Sequence, residues 1–341
     1  MKILIIKPSS LGDIVQALPV LRSLKAYLPE SDIYWWVTEA FAPLLHDDPD
    51  LSGVYIFPRK SWLKPSKLRE THATVRRIQQ MCFDLVIDLQ GLLRSGIATW
   101  LANGNRSVGI DLKIEGARAF YDCVVSRPID RRHAVDWYLE VLRCLGVPPR
   151  PDLNWLPLAD AKLEPNLAGN FNATADPLVA VIPGARWENK RWPAEHFATT
   201  CQQILAIHPN SHFIVLGTHE DSTAAARIIR MVTGRGHDLT GQTSLSELID
   251  WLRRCRLVIT NDTGPMHIAA ALGKPVLALF GPTRPDETGP YGQTENTISI
   301  PLDCAPCMKA RCLANEQFEC LQSLSSDSVT RRALGLLTVG Q

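Results

Sequence analysis

The stretch that most constrains this chain runs from Leu257 to Thr283 and reads LVITNDTGPMHIAAALGKPVLALFGPT. Leu257–Thr260 is a short apolar, β-prone run of the kind that suits a buried parallel strand. Asn261-Asp262-Thr263-Gly264-Pro265 breaks the run. Met266 to Leu272 carries small and apolar residues at helical spacing, and Gly273 stops the helix. Pro275 to Phe280 is a second apolar strand, closed by Gly281-Pro282. Strand, polar turn, helix and strand in this order make a βαβ unit, and open α/β sheets bind ligands in the turns beyond the carboxyl ends of their strands.

The chemistry of the turn points to a phosphate-bearing ligand. Asp262 or Thr263 caps the helix, Gly264 admits a ligand close to the backbone, and Pro265 sits in the first turn, where its missing N–H costs nothing. The remaining N–H groups and the helix dipole favour an anion, and His267 adds a donor. Asp-Thr-Gly alone fits a merely capped helix with a surface histidine. A D-T-G-x-x-H turn between two buried strands is more specific.

The 341 residues are enough for two α/β cores. Strands are expected at Lys2–Ile6, Ile33–Val37, Val54–Phe57, Asp84–Asp88 and Ser107–Ile110, with helices from Ile14 to Leu28 and from Val135 to Leu145. Pro19 lies inside the first helical pattern, so that helix starts late or bends. A second series follows. It has strands at Leu178–Ile182 and Phe213–Leu216 and around Asp238–Gly241, and helices at Ala194–Ile207 and Leu245–Cys255. The prolines at 148, 149, 151 and 157 mark a connection. The expected layout is a first domain over 1–155, a linker over 156–177, a second domain over 178–324, and a last helix within 325–341 packing back on the first domain.

The net charge of +1 creates no field that calls for nucleic acid. No apolar run approaches the roughly 20 residues of a membrane span. The opening MKILIIK is too short and too soon polar for a signal peptide, so the expected location is the cytoplasm, with a peripheral position at the inner membrane left open.

Four further segments carry chemistry. In Lys7-Pro8-Ser9-Ser10-Leu11-Gly12-Asp13, Asp13 follows the first strand, where a carboxylate either caps the next helix or takes a proton as a general base. In Gly184-Ala185-Arg186-Trp187-Glu188-Asn189-Lys190-Arg191-Trp192-Pro193, Lys190 and Arg186 suit a diphosphate, unless the loop is simply a solvated charged one. In Gly217-Thr218-His219-Glu220-Asp221, Asp221 or Glu220 either accepts from ribose hydroxyls or complements a helix dipole. Asp88-Leu89-Gln90-Gly91 lies at another strand end. Basic residues Arg59, Lys60, Lys64, Lys67, Arg69, Arg118, Arg131, Arg132 and His133 would meet an anionic acceptor or form a wet surface.

These motifs, in this order, resemble glycosyltransferase family 9, the ADP-heptose heptosyltransferases of lipopolysaccharide core assembly, and most of all the type I branch. The likeness extends from Met1 to about Val329. It implies an α/β, GT-B-like fold of two doubly wound, Rossmann-like domains facing across a cleft. It further implies an inverting transfer of L-glycero-D-manno-heptose from ADP-heptose to a Kdo residue of the inner core, on a Kdo-lipid A type acceptor at the inner membrane surface, with no cofactor required for catalysis. In that family the aspartate matching Asp13 is the proposed base and the lysine matching Lys190 binds phosphate. Asp262, Thr263, Gly264 and His267 would complete the diphosphate site. Asp221 would meet the ribose, and Thr243, with Leu245, would line the adenine pocket. Ser10, Gly12, Gln90, Arg59, Lys60, Lys64 and Arg118 would face the acceptor. Ala185 departs from the hydroxyl residue that some members carry.

Two other readings stand beside this one. The first keeps the donor and changes the acceptor to a heptose already on the core, or to a protein. The second is a nucleotide-sugar binding protein without catalysis, against which the presence of both Asp13 and Lys190 argues. A dinucleotide oxidoreductase lacks support, because no strand is followed by G-x-G-x-x-G. Finally, Cys304, Cys307, Cys312 and Cys320 have the spacing of a candidate structural zinc or iron site, with free thiols as the alternative.

Overall fold

The computed structural model describes residues 1–57, 68–130, 132–152, 154–157, 177–314 and 316–338, in two compact units, Met1–Ala159 and Asp160–Gln341. In the first unit the elements are β1 (Lys2–Ile6), α1 (Leu11–Tyr27), β2 (Asp32–Val37), β3 (Gly53–Ile56), α2 (Leu68–Gln80), β4 (Leu85–Asp88), α3 (Leu93–Ala102), β5 (Arg106–Asp111), β6 (Cys123–Ser126) and α4 (Ala134–Cys144). The strands form one sheet in the order β3-β2-β1-β4-β5-β6. Every pairing in it is parallel.

The second unit repeats this plan. Its elements are β7 (Leu178–Ile182), α5 (Ala194–Ile207), β8 (His212–Val215), α6 (Ser222–Met231), β9 (Gly236–Asp238), α7 (Leu245–Arg254), β10 (Leu257–Asn261), α8 (Gly264–Ala271), β11 (Val276–Leu279), α9 (Pro285–Thr288), β12 (Thr297–Ile298), α10 (Glu319–Gln322) and α11 (Ser326–Thr338). The sheet order is β12-β11-β10-β7-β8-β9, again parallel throughout. In each sheet the chain starts in the middle, winds outward one way and then returns to wind the other way. This is the doubly wound, Rossmann-like order, and its crevice lies where the direction reverses. Here those points are β1/β4 and β7/β10.

Burial explains the strand composition. β1, β4, β7 and β10 carry Ile, Leu and Val with almost no exposure, as strands covered on both faces must. α1 begins at Leu11 and runs through Pro19 instead of starting late. Its residues from Ile14 to Leu24 are all buried, so packing on every side outweighs the hydrogen bond that Pro19 cannot donate. β6 was hidden in a charged, weakly patterned stretch, and its edge position asks little of its sequence. α11 buries Val329, Ala333 and Leu337 in the core of the second unit, with Phe197, Ile204 and Leu321. Those three positions form one apolar stripe, and α5 offers the matching face.

A buried ion pair ties the first unit together. The Arg22 guanidinium on α1 pairs with Asp48 and Asp50 and donates to the Trp155 carbonyl at 3.0 Å. Arg22 and Asp48 are 4% and 5% exposed, so loss of either strands a charge. Arg22→Ala should therefore lower stability by about 3–5 kcal/mol, read as a fall in the urea midpoint of unfolding. An unchanged midpoint would refute this account.

Candidate functional site

At the carboxyl end of β1, the loop Lys7–Ser10 is held from several sides. Trp35 Nε1 donates to the Lys7 carbonyl at 3.2 Å, and Thr38 donates to the Pro8 carbonyl through both its N–H at 3.1 Å and its hydroxyl at 2.9 Å. Ser10 is the N-cap of α1. Its N–H and Oγ donate to Asp13 Oδ2 at 2.9 and 2.6 Å. The N-cap of α1 is therefore Ser10 rather than Asp13, and Asp13 takes the third helical position of a capping box, its carboxylate oriented by these two bonds. Gly12 is buried and Ser10 exposed.

Beside this loop, at the carboxyl end of β4, Asp88 closes a tight turn. Its Oδ1 accepts from the N–H groups of Gln90 at 2.7 Å and Gly91 at 3.2 Å, and its Oδ2 from the Tyr121 hydroxyl at 2.6 Å. Burial pushes the Asp88 carboxyl upward, and these donors pull it back. Gly91 has φ +69°, and a Cβ there would lie 2.9 Å from the Ile110 carbonyl oxygen, so only glycine fits. Gln90 Oε1 is buried without a partner among the described residues. Arg118 is exposed, 3.6 Å from Asp111. Arg59, Lys60 and Lys64, with Lys67 and Arg131, lie outside the described residues.

In the second unit the two sequence motifs meet at β7/β10. Asn261, fully buried, donates from Nδ2 to the Pro183 carbonyl at 2.7 Å and accepts the Trp192 N–H at 3.1 Å. It thereby stitches the P-G loop to the D-T-G turn. Lys190 Nζ reaches Asp262 Oδ2 at 2.6 Å and stands 4.6 Å from the centre of the Trp187 ring, a cation–π distance. Thr283 Oγ1 donates to the same Asp262 oxygen at 2.6 Å. α8 starts immediately beyond, with Thr263 as N-cap and Pro265 in its first turn. A cationic ammonium fixed next to a helix amino terminus is a site for an anion. His267 is buried, at 8% exposure, and is not the surface residue that a bland reading of the turn would make it. Arg186 is exposed.

The loop after β8 holds its carboxylate in place. Asp221 is 7% exposed, and its Oδ2 accepts from the Thr218 N–H at 2.9 Å and hydroxyl at 3.0 Å. A Cβ added at Gly184 would stand 2.5 Å from Asp221 Oδ2, and one at Gly217 would stand 2.7 Å from it. Asp221 therefore packs the ends of β7 and β8 together, and both glycines exist to admit it. Glu220 is exposed next to it, and Thr243 and Leu245 are half-buried at the start of α7.

The cysteine cluster does not take the form expected of a metal site. Among the described residues no group of three or more His, Cys, Asp or Glu side chains is arranged to hold a metal ion, so the candidate zinc or iron is not supported. Cys304 is exposed, Cys307 and Cys312 half-buried and Cys320 buried, all as free thiols. Cys312 Sγ accepts the Phe318 N–H at 3.4 Å. Burial, with the three other cysteines adding to it, pushes the Cys320 thiol up to about 11.

Sequence reasoning passed over several residues. Lys7 stood inside a quoted motif without a role, and Asn261 and Thr283 flanked another. Tyr121 and Tyr138 carry no local signal, since their partners are remote in sequence.

Two parallel Rossmann-like units, one with a carboxylate loop and the other with a cationic anion cradle at its switch point, define a GT-B-like glycosyltransferase. The sequence model of glycosyltransferase family 9 (heptosyltransferase) matches residues 71–317, and the chain belongs to that family. Lipopolysaccharide heptosyltransferase 1 of Pseudomonas aeruginosa is 29% identical over 92% of this chain and 87% of its own length. Lipopolysaccharide heptosyltransferase 2 of Salmonella typhimurium is 27% identical over 88% of each. Among solved structures, the Escherichia coli heptosyltransferase WaaC with ADP-2-deoxy-2-fluoro heptose superposes with a TM-score of 0.72 at 24% identity, over 97% of this chain and 98% of that one.

Gly184→Ala should lower stability by about 1–3 kcal/mol, because the added methyl group drives Asp221 from its cap. In urea unfolding, Asp221→Ala placed in the same chain should recover part of that loss. Strict additivity of the two substitutions would count against the contact.

Proposed function

We propose that this enzyme moves L-glycero-D-manno-heptose from ADP-heptose to a Kdo hydroxyl of a lipid A-linked inner core, with inversion at the anomeric carbon. The observation that carries the donor half is the Lys190–Asp262 pair at 2.6 Å, set at the amino end of α8. In this reading the diphosphate lies against the N–H groups of Thr263 and Gly264 and the Lys190 ammonium, with His267 and Arg186 as further donors. Asp262 does not touch phosphate, since a carboxylate there would repel it. It aims Lys190, with Thr283 sharing the same oxygen. A lysine has three donors, and Asp262 occupies one. The adenosine end falls to Thr243 and Leu245, with Glu220 the exposed carboxylate nearest the ribose role.

In the acceptor half, Asp13 removes the proton from the Kdo hydroxyl. The oxygen bonds to the anomeric carbon as the bond to the ADP oxygen breaks, and Lys190 and the helix terminus take up the charge that grows on the leaving diphosphate. Ser10 fixes the direction of Asp13. Gln90 and Arg118 stand at the strand ends where the acid sugars would lie. Arg59, Lys60 and Lys64 remain candidates from sequence alone. The resemblance of Asp88-Leu89-Gln90-Gly91 to the type I branch supports Kdo as acceptor. No helix among the described residues is long and apolar enough to cross a membrane, which suits peripheral work at the inner face of the inner membrane. The family's mechanism calls for no cofactor.

Purified protein is expected to transfer heptose from ADP-heptose to Kdo2–lipid A. Asp13→Asn should cut the rate about 100-fold or more while ADP-heptose still binds, as measured by calorimetry. Transfer only to an already heptosylated core would replace the acceptor and leave the donor standing. Lys190→Ala should weaken ADP binding about tenfold or more, and unchanged affinity would sink the diphosphate assignment.

A further inference from the structure

We propose that the outward face of α3 is a membrane-docking surface, which seats the first unit on an anionic phospholipid bilayer with Trp100 at the lipid–water boundary. This deepens the proposed function and rests on it, since it takes the acceptor to be anchored in a lipid surface. A helix turns about 100° per residue, so Trp100, Leu93, Ile97, Leu101 and Arg94 fill one continuous arc of about 120°. Trp100 is 65% exposed and Leu93 41%, Arg94 is exposed, and Ile97 and Leu101 are half-buried. The opposite face, with Ser95, Gly96, Ala98, Thr99 and Ala102, is buried. Its hydroxyls are satisfied inside the helix, Ser95 Oγ donating to the Leu92 carbonyl at 2.8 Å and Thr99 Oγ1 to the Ser95 carbonyl at 3.0 Å. A Cβ added at Gly96 would stand 3.1 Å from the Ala117 carbonyl oxygen, so the small residues let α3 lie close on the turn Ala117–Phe120. An ordinary surface helix turns its large apolar residues to the core and its polar ones to water. In α3 the small residues face in and the large apolar ones face out.

A single exposed apolar side chain is ordinary, but a contiguous apolar stripe marks an interaction surface. The Glu115 carboxylate accepts the Leu93 N–H at 3.2 Å and thereby brings Ile114, 53% exposed, to the amino end of the same helix. α3 also follows directly on the Asp88–Gly91 turn, whose Gln90 the proposed mechanism sets beside the acceptor. Stripe and acceptor turn therefore share one end of the helix. Charge selects the partner. Arg94 edges the stripe, and Lys113 and Arg118 are exposed in the neighbouring segment. The carboxylates nearby are engaged. Glu115 holds the Leu93 N–H. Asp111, 8% exposed, accepts the Lys113 N–H at 2.9 Å and lies 3.6 Å from Arg118. Asp122 accepts from the N–H and hydroxyl of Ser107 at 2.7 and 2.8 Å. An apolar stripe with an indole and a cationic edge matches an anionic bilayer surface. The indole sits at headgroup level, the aliphatic chains reach below it, and the cations meet lipid phosphates. A second copy of the chain suits the face less well, because these few partly sunken side chains fall short of the roughly 800 Å² that each partner of a stable dimer buries.

The test is flotation of the whole protein with phospholipid vesicles that carry no Kdo or heptose. Wild type should float with vesicles rich in phosphatidylglycerol and much less with pure phosphatidylcholine. Leu93→Ser combined with Trp100→Ser should lower the vesicle partition coefficient about tenfold or more, and Arg94→Gln about fivefold on the anionic vesicles alone. All three sites are exposed, so the urea midpoint should hold. Ile207→Ser, at a site 58% exposed on the second unit, is the control and should leave the coefficient unchanged. Wild type that does not float, a double variant that floats as wild type does, or an equal loss in Ile207→Ser overturns the proposal. A dimer that the double variant splits in the ultracentrifuge, without flotation of wild type, overturns it in favour of a second copy. Because the vesicles carry no acceptor, flotation lost in the double variant supports the docking surface even where heptose transfer to Kdo2–lipid A fails, and that failure removes only the acceptor.

Discussion

The structure depends on parallel pairing at two places, β1 with β4 and β7 with β10. Parallel pairing puts all carboxyl ends of a sheet on one edge, and reversal of the winding direction opens a crevice between the two central strands. Four of the motifs follow those four strands, one each. Asp13 comes after β1 and Asp88–Gly91 after β4, while Gly184–Pro193 follows β7 and Asp262–Gly264 follows β10. Residues far apart in sequence become neighbours because the ladder registers them, as when Trp192 and Pro183 both bond to Asn261.

A second regularity is electrostatic. At both switch points a lysine is fixed by its neighbours. Lys190 is held directly by Asp262. Lys7 is held by the Leu89 carbonyl and the Tyr138 hydroxyl. A lysine on a surface is a mobile, strongly hydrated charge, and one fixed by a carboxylate and stripped of water acts at a defined point. That serves a reaction whose difficulty is charge: a proton must leave one oxygen and a diphosphate must leave another. Preorganised cations stabilise both without reorganising as the reaction proceeds.

Several carboxylates have structural duties that sequence reasoning set beside chemical ones. Asp13 closes the capping box that Ser10 opens at the start of α1, a duty that orients the carboxylate proposed as the base. Asp221 is different. It is packed against Gly184 and Gly217 and bonded to Thr218, and the local pattern of a glycine followed by an acid was a signal of packing as much as of ligand binding. The cysteines show the same limit. Their spacing matched a metal site, but among the described residues no group of three or more ligating side chains is arranged to hold an ion.

What the sequence determined by itself was the alternation of elements, the two-domain count, the family and the turns that carry chemistry. Hydrophobic periodicity and glycine, proline and capping residues are local, and they survive without a fold. It also marked Asp13, Lys190 and the Asp262–His267 turn, because their motifs are contiguous. Only the tertiary structure decided that Lys190 is bound to Asp262, that Lys7 reaches Tyr138 and Leu89, that Asp221 fills the space left by two glycines, and that the last helix belongs to the second core. Each of these is a contact between residues distant along the chain, created by strand order and burial, and no local pattern encodes which distant partner a buried charge will find.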